Sequence, residues 1–198
     1  MIKQIHQPTL TDQTDSKLGH KSAQENISLL LFYFFTAAAA GFLWEVLLLF
    51  IKEGQFRNRG FLYGPWLPVY GTGAVLLYVL FSGLKRRPVK AFLYSLILGT
   101  SLELIIGLVL DCFWGLRYWD YTGSPLNFRG YICLLSALGI GIAGALWICL
   151  LSSPLEKFWF HIPEKIRSAV NLILILLFTA DCAAALIFPN TGRGITFS

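Results

Sequence analysis

The sequence predicts an all-α membrane protein, a polytopic bundle of about five transmembrane helices. Three observations lead there. Of 198 residues, 56% are hydrophobic and only 14% are charged, whereas soluble domains carry roughly 25% charged residues. Mean hydropathy is +0.62. Apolar runs long enough to cross ~30 Å of hydrocarbon recur along the chain, and the basic residues fall in short segments between them. The net charge of +5 therefore reads as a topology signal, and no nucleic-acid partner is expected.

Residues 1–27 are polar and rich in Gln, Asp, Ser and Lys without an apolar period, which predicts a mobile cytoplasmic tail. The transmembrane domain is expected over about 28–188, with a short tail at 189–198. The first helix is expected at about 28–51. Ala37 to Ala40 imitate a signal cleavage site, but the apolar run continues through Ile51, too long for a signal core. The second helix is expected over about 61–84, starting irregularly through Gly64, Pro65 and Pro68. Whether that start spans or re-enters stays open. Lys85-Arg86-Arg87-Pro88 ends it, and the third helix follows at about 89–115. The fourth is expected at about 130–152 and the fifth at about 167–188. Between them, Ser153 to Arg167 mixes Phe158, Trp159, Phe160 and Ile162 with charged residues, a pattern that suits a surface-lying segment.

Orientation follows from counting Lys and Arg. One side receives Lys3, Lys17, Lys21, Lys85, Arg86, Arg87, Lys90, Lys157, Lys165 and Arg167. The other receives Lys52, Arg57, Arg59, Arg117, Arg129 and Arg193. Ten against six places the N-terminus in the cytoplasm and the C-terminus outside.

Cys112, Cys133, Cys149 and Cys182 form no Cys-x-x-Cys pair and read as small apolar residues. His6, His20 and His161 lie outside the apolar runs, so no histidine is placed for intramembrane hydrolysis or zinc binding. No enzyme activity, metal or cofactor is expected.

The acids are more informative. Glu45, Glu103 and Asp181 fall inside expected spans and Asp111 near the end of one, where ionisable groups usually face a partner or a water-filled path. Ser95, Gly99, Glu103, Gly107 and Asp111 recur every four residues and form a stripe on the third helix. Arg57, Arg59, Arg117 and Arg129 lie just beyond the spans. The expectation is a polar cluster in which these acids and arginines pair. It serves either a solute site or a lock on the bundle. Tyr63, Trp66 and Tyr70, in a stretch broken by proline and glycine, are further candidates, as are Asn58, Asn127, Trp119 and Asp120. Asp120 stands between two aromatics ahead of the turn residues Thr122-Gly123-Ser124-Pro125, which suggests a packed loop.

Asn58-Arg59-Gly60-Phe61-Leu62 resembles Asn127-Phe128-Arg129-Gly130-Tyr131-Ile132, and each follows a helix carrying a glutamate. A tandem duplication of a two-helix unit would explain this; chance is the competing explanation.

Trp44-Glu45-Val46, the run from Asn58 to Gly73, Leu102-Glu103, Trp119-Asp120-Tyr121 and Asn127 with Gly130-Tyr131-Ile132-Cys133 together resemble the bacterial family of putative type IV ABC-transporter permeases. The likeness covers about residues 38–188, departing at Asp111, where Glu is common, and at Tyr131, where Arg is common. It implies a transporter subunit in the cell membrane served by an ATPase. The chain has no G-x-x-x-x-G-K-[ST] run, so that ATPase would be a separate cytoplasmic partner. Two functions remain open: a permease-like protein handling a small solute, alone or as a homo-oligomer, and a structural or sensory protein binding an envelope component through its outer loops.

Overall fold

The computed structural model describes residues 22–54, 58, 60–190 and 196–197. Five helices make the bundle: α1 (Ala23–Glu53), α2 (Pro68–Phe81, extended by a tight turn at Ser82–Leu84), α3 (Pro88–Trp114), α4 (Leu134–His161) and α5 (Glu164–Ile187). Among the described residues, α1, α3, α4 and α5 are long and apolar enough to cross a membrane, and α2 is a shorter apolar helix. Much of the large apolar surface faces outward, including Leu43, Ile97, Leu135, Leu176 and Ile187. Lipid-facing helices require that arrangement.

Local chemistry sets the ends. Ser22 Oγ accepts from the Glu25 amide at 3.1 Å, while the Ser22 amide donates to Glu25 Oε2 at 2.9 Å. That reciprocal cap starts α1 five residues earlier than the hydropathy suggested. Residues 1–21 of the expected tail lie outside the described residues. Pro68 and Pro88 occupy first turns, where their missing N–H costs nothing. The fourth helix begins at Leu134, not 130, because Arg129 and Gly130 both take positive φ in a turn closed by the Tyr131 amide on Phe128 O at 3.0 Å.

The segment expected to lie at the surface over 153–167 is helical to His161 and continues α4 without a break. The chain passes Pro154 through a wide π turn at Trp147–Leu151, which loosens the backbone where the proline ring would crowd the carbonyl four residues back. It then runs helically to His161, and α5 starts at Glu164. Trp159 is a core residue, 2% exposed and stacked on Phe32 with centroids 4.3 Å apart.

That core lies toward the end where α1 begins. Tyr33 donates to Ser152 O at 2.5 Å, Trp147 Nε1 donates to Ala74 O at 3.0 Å, and Leu29, Leu77, Ala91 and Ile148 close around them. α5 packs on α1, where Phe178 meets Phe34 and Phe35 edge-on. At the opposite end, Leu116–Arg117 (β1) pairs antiparallel with Thr196–Phe197 (β2).

The two halves pack by one rule. Phe34, Gly41 and Glu45 on α1 have the spacing of Phe92, Gly99 and Glu103 on α3, and Gly60, Tyr70 and Gly71 have that of Gly130, Ile140 and Gly141. A side chain on Gly41 would strike Tyr70, and one on Gly99 would strike Ile140. Likewise Gly71 rests on Phe34 and Gly141 on Phe92. Gly60 and Gly130 both hold positive φ, 114° and 75°. Matched residues making matched contacts support the two-helix unit used twice, with α5 added.

Candidate functional site

The stretch before α2 is not helical. From Phe61 to Leu67 it turns around one carboxylate of a distant helix. Asp181 of α5 accepts from the Tyr63 amide at 3.0 Å, the Gly64 amide at 2.9 Å and Trp66 Nε1 at 2.6 Å. Tyr63 Oη donates to Phe188 O at 2.8 Å, and Asn58 Nδ2 donates to Tyr63 O at 2.7 Å. Asn190 closes the back: its amide donates to Phe61 O and its Nδ2 to Leu62 O, both at 3.2 Å. Prolines 65 and 68 prevent an ordinary helix start, and these contacts satisfy the backbone groups thereby released. Only the 14 residues of α2 remain helical, about 21 Å of rise.

The second loop, residues 115–133, is built on Arg117. Its Nε and Nη2 donate to Asp111 at 3.0 and 2.9 Å, Nη1 to Arg129 O at 3.2 Å, and Nη2 also to Tyr131 Oη at 3.0 Å. Tyr131 Oη donates to the same Asp111 carboxylate, and the guanidinium lies 4.5 Å from the Tyr131 ring centroid. The hydrogen bond to Asp111 raises the pKa of both Arg117 and Tyr131. Trp119 Nε1 donates to Tyr131 O at 2.7 Å, and Gly107 leaves room for both rings against α3. Asp120 accepts from the amide and hydroxyl of Thr122, which hold its carboxyl below the ordinary range. Asn127 bridges Thr122 O, Ser124 O and the Gly130 amide at 3.0, 2.9 and 3.2 Å. Burial pushes the Tyr118 hydroxyl up to about 12; it donates to Asn190 O at 3.2 Å, joining the two loops.

Between the loops the two halves meet through their glutamates. Tyr70 Oη donates to Glu45 Oε1 at 2.7 Å. Tyr121 Oη donates to Glu103 Oε1 and Ser136 Oγ to Glu103 Oε2, each at 3.0 Å. Burial raises the Tyr121 pKa most, and the charges of Glu103 and Glu45 add to it, so both carboxylates act on one phenol. The stripe from Ser95 to Asp111 is the seam of this half: Ser95 faces Gly144, Gly99 faces Ile140, Glu103 meets Ser136, and Gly107 and Asp111 meet Tyr131.

The structure thus gathers the sequence-derived candidates into three groups. Asp181, Tyr63 and Trp66 form one, with Asn58 beside them. Asp111, Arg117, Trp119, Asp120, Asn127 and Arg129 form the second, and Glu45, Tyr70 and Glu103 the third. The expected arginine pairing holds for Asp111 with Arg117; Arg129 lies exposed, 6.0 Å from the Phe128 ring centroid. Among the described residues, Glu103 takes hydroxyl donors and Asp181 takes amides and an indole instead. Arg57 and Arg59, expected as partners of Glu45 and Glu103, lie outside the described residues. Sequence reasoning passed over Tyr121, Ser136, Tyr118 and Asn190. Tyr121 stood beside Asp120 in the aromatic loop; the other three carried no pattern that set them apart. No cluster of His, Cys, Asp or Glu among the described residues could hold a metal ion.

A family model described as "Putative ABC-transporter type IV" matches residues 32–186, which include all three groups. No curated protein and no solved structure matches the chain.

Proposed function

The chain belongs to the "Putative ABC-transporter type IV" family, and from that premise we propose that it is the membrane subunit through which a small solute is bound or moved, driven by a separate cytoplasmic ATPase. Four long apolar helices and the family match make it a multi-pass membrane protein. The single observation carrying the solute reading is Glu103. It lies in a span, joins α3 to α4 and the aromatic loop, and shares Tyr121 with the Glu45 charge of the other half. Its described partners are neutral hydroxyls, so its charge is answered by no cation among the described residues. A carboxylate in that setting suits a proton or a cationic group of a solute. Asp111 and Asp181 are read as scaffold: the first is matched by Arg117, and the second holds the Tyr63–Trp66 turn.

Purification from native membranes is the direct test. A stoichiometric ATPase supports this reading. An ATPase-free complex with envelope proteins favours the structural or sensory role, for which the dense hydrogen bonding of the two loops is the favourable observation. Glu103→Gln then separates site from lock. Loss of solute-dependent ATPase stimulation at unchanged melting temperature supports the site, and unchanged stimulation with a collapsed melting temperature refutes it.

A further inference from the structure

At the end of the bundle where α4 gives way to α5, the structure buries a cation that meets no anion among the described residues. Arg167 is 7% exposed, and its Nε and Nη1 have no hydrogen-bond partner among the described residues. Its guanidinium stands 4.7 Å from the Phe160 ring centroid, a contact that supplies no acceptor for those N–H groups. One turn along α5, Asn171 is 6% exposed. Its Nδ2 donates to Ser28 Oγ at 3.0 Å and Ser28 O at 3.3 Å, and Trp159 Nε1 donates to the same Ser28 Oγ at 3.2 Å. The starts of α1 and α5 and the end of α4 therefore converge on a cluster of polar side chains, with Arg167 one turn from Asn171.

Arginine does not deprotonate in proteins, and an uncompensated buried charge is strongly destabilising. The surroundings add to the demand. Arg167 lies in the first turn of α5, where the helix dipole favours negative charge; the Ile166 and Arg167 amides there donate to Pro163 O at 3.0 and 3.1 Å. Lys157 and Lys165 lie nearby on the surface, and the one acid of that turn, Glu164, is exposed. α4 and α5 are both span-length and join here, so a bilayer crossed by both would have its headgroups beside this cluster. We propose that Arg167 and the first turn of α5 form a binding site for a phosphate oxyanion, of the kind presented by an anionic phospholipid headgroup, with Asn171, whose Nδ2 is engaged by Ser28, as a neighbouring wall and not a ligand. Such a group offers several acceptor oxygens to a guanidinium held at the hydrocarbon boundary.

The test uses the full chain, stripped of lipid in detergent micelles, with melting followed by tryptophan fluorescence. Phosphatidylglycerol, diacylglycerol with the same tails, and inorganic phosphate are added separately. At a hundredfold excess over Kd, phosphatidylglycerol is expected to raise Tm by roughly 5–10 °C, and diacylglycerol is expected to leave it unchanged. An equal rise with inorganic phosphate assigns the site to a free phosphate; a rise with the lipid alone assigns it to a headgroup. Arg167→Gln should abolish the rise, and Lys90→Gln, on the exposed start of α3, should keep it. Asn171→Asp supplies an internal anion one turn from Arg167. It should fold without lipid and lose the phosphatidylglycerol response, which decides the matter if Arg167→Gln does not fold. The proposal is overturned if neither phosphate source shifts the wild type, or if diacylglycerol does so equally. It is also overturned if Lys90→Gln loses the response, or if Arg167→Gln or Asn171→Asp retains it.

Discussion

Asp181→Asn isolates the contact that holds the broken entry to α2. The change preserves shape and removes charge. In the native protein one carboxylate oxygen accepts from Gly64 and Trp66, and the other from Tyr63. An asparagine can present its oxygen to Gly64 and Trp66, but its NH2 then confronts the Tyr63 amide, donor against donor. One hydrogen bond to a charged acceptor is lost, at ~1.5–3 kcal/mol, and two others fall from charged to neutral strength, at ~1 kcal/mol each. Against this stands relief of the carboxylate's desolvation, which three donors already offset in large part. The net expectation is a loss of about 3 kcal/mol, hence a Tm lowered by roughly 6–12 °C for a chain of this size. The indole N–H resonance of Trp66 gives a local readout, because its acceptor is the altered group. A variant melting within a degree of wild type, with the Trp66 resonance unmoved, would refute the idea that Asp181 organises this turn.

Three further outcomes follow from the same contacts. Gly41→Val and Gly99→Val should each destabilise by ~1–3 kcal/mol in thermal melts, because Tyr70 and Ile140 occupy the space, while Gly139→Ala, with nothing nearby, should be neutral; unequal costs would weaken the two-unit reading. Arg117→Lys should lower Tm and shift Trp119 fluorescence, since a lysine cannot serve Asp111, Arg129 O and Tyr131 together; an unchanged melt would reassign the loop's stability to its apolar contacts. Asp120 has its folded pKa lowered, so its contribution is complete above the ordinary aspartate value of 3.8 and is lost as pH falls through the folded pKa. Thr122→Val should move that acid transition, followed by Trp119 fluorescence, upward toward 3.8.

What could be read from the sequence was whatever rests on local spacing. The long helices announce themselves by apolar length, and the stripe on α3 by a four-residue repeat that winds along one face. Gly60 and Gly130 betray the repeat because both hold a backbone conformation that a side chain makes costly. The true extent of α2 was not legible. Pro65 and Pro68 said that the helix was broken, but the groups that repair the break belong to α5, more than a hundred residues away. The continuation of α4 past Pro154 escaped for a different reason. A π turn has no composition of its own, and Phe158, Trp159 and Phe160 read equally well as an interfacial belt or as a helix end facing a core. Hydroxyl partners are harder still, since a serine or tyrosine beside an acid looks like any other until folding brings them together.

The kind of partner, more than the acid itself, separates frame from site. Asp111 forms an ion pair, and neutralising it would take from Arg117 its bonded carboxylate. Asp181 binds two backbone amides, so its loss unmakes a turn. Glu103 differs on both counts: it meets Tyr121 and Ser136, whose hydroxyls can rotate and can accept as well as donate. Of these three acids it can change protonation, or exchange a hydroxyl for a ligand, with the least cost to the fold. The corresponding position of the other half, Glu45, also takes a tyrosine hydroxyl. Two glutamates at matching positions, each on the helix that leads its half and each bonded to a tyrosine hydroxyl, are what a duplicated scaffold would bring to the seam between its copies. On the proposed solute reading, that arrangement points to the seam, and not to either loop alone.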